Sequence, residues 1–189
     1  MYKICKTQQS YQRQRIIEDV LIQMMLKEQF NTIKISELCE IAEIPRKAFY
    51  RYFDTKEDVL YAVIDHTLMD FANICGLTVT DKIFTDIDIM VKFYEFWKER
   101  SSFIKALENS NCSSLLVERT VFLEMNGVGN VINVHSIKDG LFERNVFAYT
   151  GIFSIMLTWL RTNDKTPREM AEITVGIMTK PLFKVEGCS

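Results

Sequence analysis

The sequence predicts an all-α protein of about nine helices, and three observations point there. Only three prolines and seven glycines punctuate the 189 residues, too few for a turn-rich β fold. Apolar residues recur at helical spacing in one segment after another, and no segment reads as a convincing strand. Helix start and stop residues separate those segments.

Taken in order, Ile17, Val20, Leu21 and Met24 recur at i, i+3, i+4 and i+7 and mark an amphipathic helix from Gln9 to Gln29. Arg13, Arg15, Glu18 and Asp19 fall on its polar face, and Asn31-Thr32 breaks the pattern. A short helix follows from Lys34 to Ala42, with Leu38 and Ile41 inward. Pro45 opens a third, to Arg51 or Tyr52, because a first turn tolerates its missing N–H. Thr55 to Asp58 resembles a capping box and starts a long helix with Leu60, Val63, Ile64, Thr67 and Phe71 on one face. Gly76 ends it.

Met90, Phe93, Tyr94 and Trp97 form the next stripe, and Ser101-Ser102 caps a shorter helix to Asn109. Ser114 to Asn133 carries Leu116, Phe122, Leu123 and Val131, weakened by Gly127 and Gly129. Lys138-Asp139-Gly140 signals a turn. The uncharged run Val146 to Leu160 reads as a helix buried by protein, since a membrane span needs about 20 residues. Pro167 opens the last helix, to Lys180, and Pro181 stops it.

Composition narrows the class. Hydrophobic residues make up 48% and charged residues 25%, ordinary values for a globular chain that needs no disulfide or metal to hold its core. A net charge of -2 excludes nucleic-acid binding driven by bulk charge, though not a local basic patch. Cys5, Cys39, Cys75, Cys112 and Cys188 are odd in number and form no C-x-x-C pair, which suits reduced thiols in a cytoplasmic protein. Met1 to Arg15 is polar, with no apolar segment of a signal peptide. His66 and His135 have no ligand at a metal-binding spacing. With no Gly-rich phosphate loop and no nucleophile elbow, the expectation is no cofactor, no metal and no enzyme.

Three helices in the first third, the last two short and tightly joined, have the layout of a helix-turn-helix. In that motif the third helix enters the major groove. Here it offers Arg46, Lys47 and Arg51 with Tyr50 beside them, while Leu38, Cys39, Ile44, Phe49 and Phe53 supply apolar braces. Two basic residues on a short helix are by themselves an ordinary solvated face; the frame around them carries the reading.

The run Ile35 to Phe53, and above all "FYRYFDTKEDVLYAVI" from Phe49 to Ile64, resembles the helix-turn-helix of the TetR family of transcription regulators. The resemblance covers residues 10–64. Glu43 stands where the family usually has glycine, Cys39 where it has a small residue, and Pro45 where it has serine or threonine. A non-glycine at the turn implies strain or a different turn. The resemblance implies a DNA-binding domain over residues 1–55 and a helical ligand-binding and dimerising domain over 56–189.

Arg46 and Lys47 are the candidates for base-edge contacts, since both suit the O6/N7 pair of guanine. Pro45 and Ala48 flank them. Tyr50, Lys56, Thr32, Lys34 and Arg51 are candidates for phosphate, and Lys3, Lys6, Arg13 and Arg15 for further backbone contacts. The partners expected are a palindromic DNA operator, a second copy of the chain, and a small apolar or aromatic effector. That effector is assigned to a pocket lined by Met90, Phe93, Tyr94, Trp97, Phe122, Met125, Met156 and Trp159, although a filled core shows the same stripe. Ala148, Gly151, Ser154 and Thr158 are small residues suited to close helix approach, across a dimer or within one subunit. The leading reading is a repressor released by its effector. The alternatives are an activator, a regulator controlled by a partner protein, and a helical interaction protein without DNA binding.

Overall fold

A computed structural model describes residues 2–5, 7–76, 84–126 and 141–180. Among them are nine helices and no strand: α1 (Gln8–Met25), α2 (Ile35–Ile41), α3 (Arg46–Phe49), α4 (Lys56–Cys75), α5 (Ile87–Glu99), α6 (Ser101–Asn109), α7 (Leu115–Met125), α8 (Leu141–Thr162) and α9 (Pro167–Thr179). The protein is all-α, as its periodicities predict. The expected stretch beyond Met125 and the Lys138–Gly140 turn lie outside the described residues.

The chain divides into two compact units, Met1–Asp70 with Ser101–Thr120, and Phe71–Arg100 with Val121–Ser189. Helices α4 and α7 each contribute residues to both.

In the first unit, Thr7 caps α1 in a reciprocal box with Ser10, each backbone N–H donating to the other's hydroxyl at 3.2 Å. Its buried face runs through Ile17, Leu21 and Met25, three residues with no exposed surface. α1 packs on α2 and α6, and α2 on α3. The box expected at Thr55 is present: Asp58 N–H donates to Thr55 Oγ1 at 3.1 Å, and Thr55 N–H to Asp58 Oδ2 at 3.2 Å. From Ala62 to Leu68 every residue of α4 is buried, so the helix is the centre of its unit and not a surface element with one apolar stripe.

That burial reassigns a residue of α1. Glu18, read as part of the polar face, has no exposed surface, because His66 of α4 places Nδ1 3.0 Å from both its oxygens and Arg15 reaches it at 3.3 Å. One position along, Asp65 receives a bidentate fork from Arg119 of α7 and the Tyr2 hydroxyl at 3.0 Å. A fork of this kind satisfies both carboxylate oxygens, which burial otherwise leaves costly.

In the second unit α5 packs along α9 and against α8. Asp86 caps α5 by accepting from Asp88 N–H at 2.9 Å and Ile89 N–H at 3.2 Å. Thr166 and Glu169 form a capping box at α9, with Pro167 in the first turn. Tyr94 and Thr174 join α5 to α9 through their hydroxyls. α8 begins earlier than its uncharged run, at Leu141, carrying Glu143 and Arg144 on exposed positions of its first turn.

Candidate functional site

The turn between α2 and α3 sets the site. Ala42 ends α2, and Glu43 follows at φ +52°, in the left-handed region. Ile44 N–H then donates to Cys39 C=O at 3.0 Å and Glu43 N–H to Glu40 C=O at 3.1 Å, the pair of bonds that closes a Schellman turn. The strain anticipated at Glu43 is therefore taken on by the backbone, with the turn geometry that glycine would give.

Pro45 lies outside α3 rather than in its first turn. Its φ of -60° and ψ of 140° make it the N-cap, and its carbonyl accepts from Ala48 N–H at 2.7 Å. α3 itself is four residues, shorter than expected, because Arg51 and Tyr52 donate to carbonyls three residues back and tighten the chain out of α geometry. Phe49, Tyr52 and Phe53 are buried and anchor this short helix. Pro45, Arg46, Lys47, Tyr50 and Arg51 are exposed, and Ala48 is half-buried. Arg46 Nη2 donates to the Tyr50 hydroxyl at 3.3 Å, with the guanidinium 5.9 Å from the ring centroid. Its direction is thus set before any partner arrives.

Other expected contacts already have internal partners. Lys56 Nζ donates to the carbonyls of Phe30 at 2.8 Å, Asn31 at 2.9 Å and Ile33 at 2.9 Å, and lies 4.8 Å from the Phe30 ring. An ammonium has three N–H groups, so all three tie the α1–α2 loop to α4. The Thr32 hydroxyl lies 2.7 Å from both Glu28 Oε2 and Gln29 C=O, and its one hydrogen is shared between them. Lys34 is 74% exposed and only 3.5 Å from Glu37, leaving it the freer phosphate candidate. Lys34, Arg46 and Lys56 all border one open depression of about 510 Å³, which Asp54 and Glu57 also line.

The N-terminal arm also turns inward. Lys3 Nζ donates to Tyr50 C=O at 2.7 Å and pairs with Asp54 at 2.8 Å, while Lys3 N–H donates to Tyr52 C=O at 3.0 Å. Lys3 therefore holds the chain just past α3. Arg15 is engaged by Glu18 and Asp70, Arg13 is exposed, and Lys6 lies outside the described residues.

In the second unit, Met90, Phe93, Tyr94, Trp97, Met156 and Trp159 are all buried. Their rings fill the space among them: Phe93–Trp97 at 6.2 Å, Tyr94–Trp159 at 5.2 Å, and Phe153 against both Phe93 at 5.9 Å and Trp97 at 5.8 Å. This arrangement is a packed aromatic core. Phe122 is half-buried and Met125 is 58% exposed, because the buried stripe of α7 runs through Leu116, Thr120, Leu123 and Glu124. A depression of about 480 Å³ borders Trp159 on the outward side, lined also by Ser154, Ile155, Thr158, Met170 and Ile173.

Sequence reasoning missed a polar cluster in this unit. Glu124 is 4% exposed, Asn145 7% and Tyr149 5%. Asn145 Nδ2 donates to Glu124 Oε1 at 2.9 Å. The Tyr149 phenol is set against the Glu124 carboxyl, with Glu124 Oε2 and the hydroxyl falling short of full hydrogen-bond geometry. Burial pushes the Glu124 carboxyl above its ordinary range, and burial with the neighbouring carboxylate does the same for the Tyr149 phenol. The available signal was a second carboxylate in α7, Glu124, set among Val121, Phe122, Leu123 and Met125, with an Asn and a Tyr four residues apart on α8.

Among the described residues no group of His, Cys, Asp and Glu is placed to hold a metal, and no helix is long and apolar enough to cross a membrane. What the fold and the site define is an all-helical chain whose first unit carries a helix-turn-helix with basic residues on its outer helix. A similar solved structure is the dihydroxyacetone kinase operon activator DhaS, at a TM-score of 0.55 and 16% identity over 88% of this chain and 93% of that one. The likeness is one of fold. No protein-family model matches the chain, and no curated protein matches its sequence.

Proposed function

We propose that the protein is a homodimeric, sequence-specific DNA-binding transcription regulator of the TetR type. The observation that carries this reading is the Schellman turn at Glu43. It sets α3 against α2 with Arg46, Lys47 and Arg51 outward and Phe49 and Phe53 inward. That is the arrangement by which a helix-turn-helix presents its second helix to the major groove. Arg46 and Lys47, flanked by Pro45 and Ala48, are assigned to base edges, and Tyr50, Arg51, Lys34 and Thr32 to phosphates. Lys56 reaches phosphate only by giving up a loop carbonyl.

Dimerisation is assigned to the outward faces of α8 and α9. Phe147 is 63% exposed and Ile173 42%. Between them the hydroxyls of Thr150, Ser154 and Thr158 each donate to the carbonyl four residues back, so this exposed strip asks for few outside partners. A Cβ added at Gly151 meets nothing within 4 Å in its own chain, leaving room for a second helix.

The second unit is assigned to sensing. A small effector bound there, with α4 as the shared element, lowers DNA affinity if it prefers the released state. Repression by occupancy of an operator is the leading sign of regulation. Activation is the second reading, favoured by the name of the similar structure, an operon activator. A gel shift with the DNA upstream of the protein's own gene tests DNA binding. A retarded band displaced by specific but not random competitor is expected, and no band at low salt overturns the proposal.

A further inference from the structure

We propose that the N-terminal arm, residues 2–5, is a strap that positions α3 for base recognition, with Lys3 as the positioning residue and Tyr2 as its anchor. The inference rests on the reading of α3 as the DNA-reading helix and adds what holds that helix in place.

The arm is fastened by polar bonds to three elements of the first unit. On α4, Asp65 accepts from the Tyr2 hydroxyl at 3.0 Å while the Arg119 fork of α7 holds the same carboxylate. Burial and the Asp65 carboxylate push the Tyr2 phenol above its ordinary range, so it stays a donor. The Tyr2 ring also stands edge-on to His66, at 5.5 Å between centroids. On α1, the side-chain amide of Gln14 donates to Lys3 C=O at 3.4 Å and accepts from Cys5 Sγ at 3.0 Å. Gln14 is 1% exposed, so the arm serves a buried amide that would otherwise be short of partners. Ile4 is 88% exposed, so these bonds, and not apolar burial of its side chain, keep the arm in place.

The third attachment is the end of α3. A helix of four residues cannot hold itself, and its last carbonyls have no partner within it. Phe49 and Phe53 fix its inner side. On the outer side Lys3 supplies both fastenings: its ammonium donates to Tyr50 C=O at 2.7 Å and its backbone N–H to Tyr52 C=O at 3.0 Å. Asp54 steadies the ammonium at 2.8 Å. Tyr50 is also the residue on which the Arg46 guanidinium rests. A shift at the Tyr50 carbonyl therefore moves the support of Arg46, and Lys3 acts on base recognition through Tyr50. A strap predicts a loss confined to the specific sequence, whereas a lysine on phosphate weakens all sequences alike.

The test uses the full-length chain with the duplex it selects from a random library and a scrambled duplex of equal length. Lys3→Met keeps the stem and removes the ammonium. Affinity for the selected duplex should fall about three- to tenfold, the worth of one hydrogen bond, while affinity for the scrambled duplex stays within about twofold. The slope of log K against log salt should not change. Lys3→Arg restores the donors and should recover the selected-duplex affinity to within about twofold. Tyr2→Phe keeps the ring beside His66, loses only the hydroxyl, and should show the same sequence-selective loss. Melts establish that each variant is folded under the binding conditions. Equal loss on both duplexes with a fall of about one in the salt slope makes Lys3 a phosphate contact and overturns the proposal. An unchanged ratio of the two affinities in folded Lys3→Met overturns it as well, and an unchanged ratio in Tyr2→Phe alone removes the Asp65 anchor from it. A parent chain that selects no sequence removes the DNA-reading function and the strap's role together, so the two failures are told apart.

Discussion

Glu43→Gly is expected to stabilise the protein, an outcome opposite to the usual effect of glycine inside a helix. At φ +52° the Glu43 side chain meets the steric cost of the left-handed region, about 1–2 kcal/mol for a residue with a Cβ. Glycine removes that cost but enlarges the freedom of the unfolded chain, a loss of about 0.5–1 kcal/mol. The Schellman bonds from Ile44 and Glu43 are made by backbone and survive the change. The net expectation is a gain of about 0.5–1 kcal/mol, or about 1–4 °C in Tm for a chain of this size. Glu43→Ala is the control. It removes the same carboxylate yet keeps the Cβ, so its stability should stay within about 0.5 kcal/mol of the parent. Thermal and urea melts followed by circular dichroism read both. Because both variants lose a negative charge near α3, any common rise in DNA affinity reflects charge, and only their difference reflects the turn. A glycine variant less stable than the alanine variant refutes the left-handed turn.

Lys56→Met should lower stability by about 2 kcal/mol, since a charged donor is removed from three carbonyls, and should leave the salt dependence of DNA binding unchanged; a fall of about one in the slope of log K against log salt would mark a phosphate contact instead. Gly151→Leu meets no clash within its own chain and should fold normally yet sediment as the 22.1 kDa monomer, whereas an unaltered dimer moves the interface elsewhere. Glu124 is held above its ordinary value of 4.5 by burial, so from that value upward the folded chain binds more protons than the unfolded one and stability falls as pH rises toward the raised folded value. Glu124→Gln should remove that fall across melts from about pH 4 to 8, and an identical pH profile in the variant contradicts the burial argument.

The helices were legible because each announces itself locally. Thr55 and Asp58 lie three residues apart, Pro167 opens a helix, and the α5 stripe repeats within a few turns. Helix ends were less so. α3 stops after Phe49 because its last turns tighten, a choice made by the buried anchors Tyr52 and Phe53 and not by any breaker residue. Partnerships across the chain left no local mark. Glu18 reads as surface until His66, 48 residues away, is seen beside it. Lys56 reads as a phosphate ligand because its partners are backbone carbonyls, which every residue carries. On α7 a rotation of about 100° per residue separates inward Glu124 from outward Met125, so a stripe drawn through Phe122 and Met125 selected the wrong side for a buried pocket. The turn at Glu43 was the reverse case: a departure from the family pattern flagged the position, and the backbone adopts the geometry expected of glycine there.

The claim that α3 reads DNA is tested most directly by selecting binding sites from a random double-stranded library, once with the parent chain and once with Arg46→Ala. Arg46 is exposed, on a helix braced by Phe49, and its loss should leave the fold intact. The parent should enrich a palindrome whose half-sites lie about 34–36 Å apart or a multiple of that. Arg46→Ala should relax preference at one base pair in each half-site, at a cost of about 1–3 kcal/mol for the parent's best sequence. No enriched sequence from the parent, or the same sequence enriched with equal affinity by the variant, would contradict it.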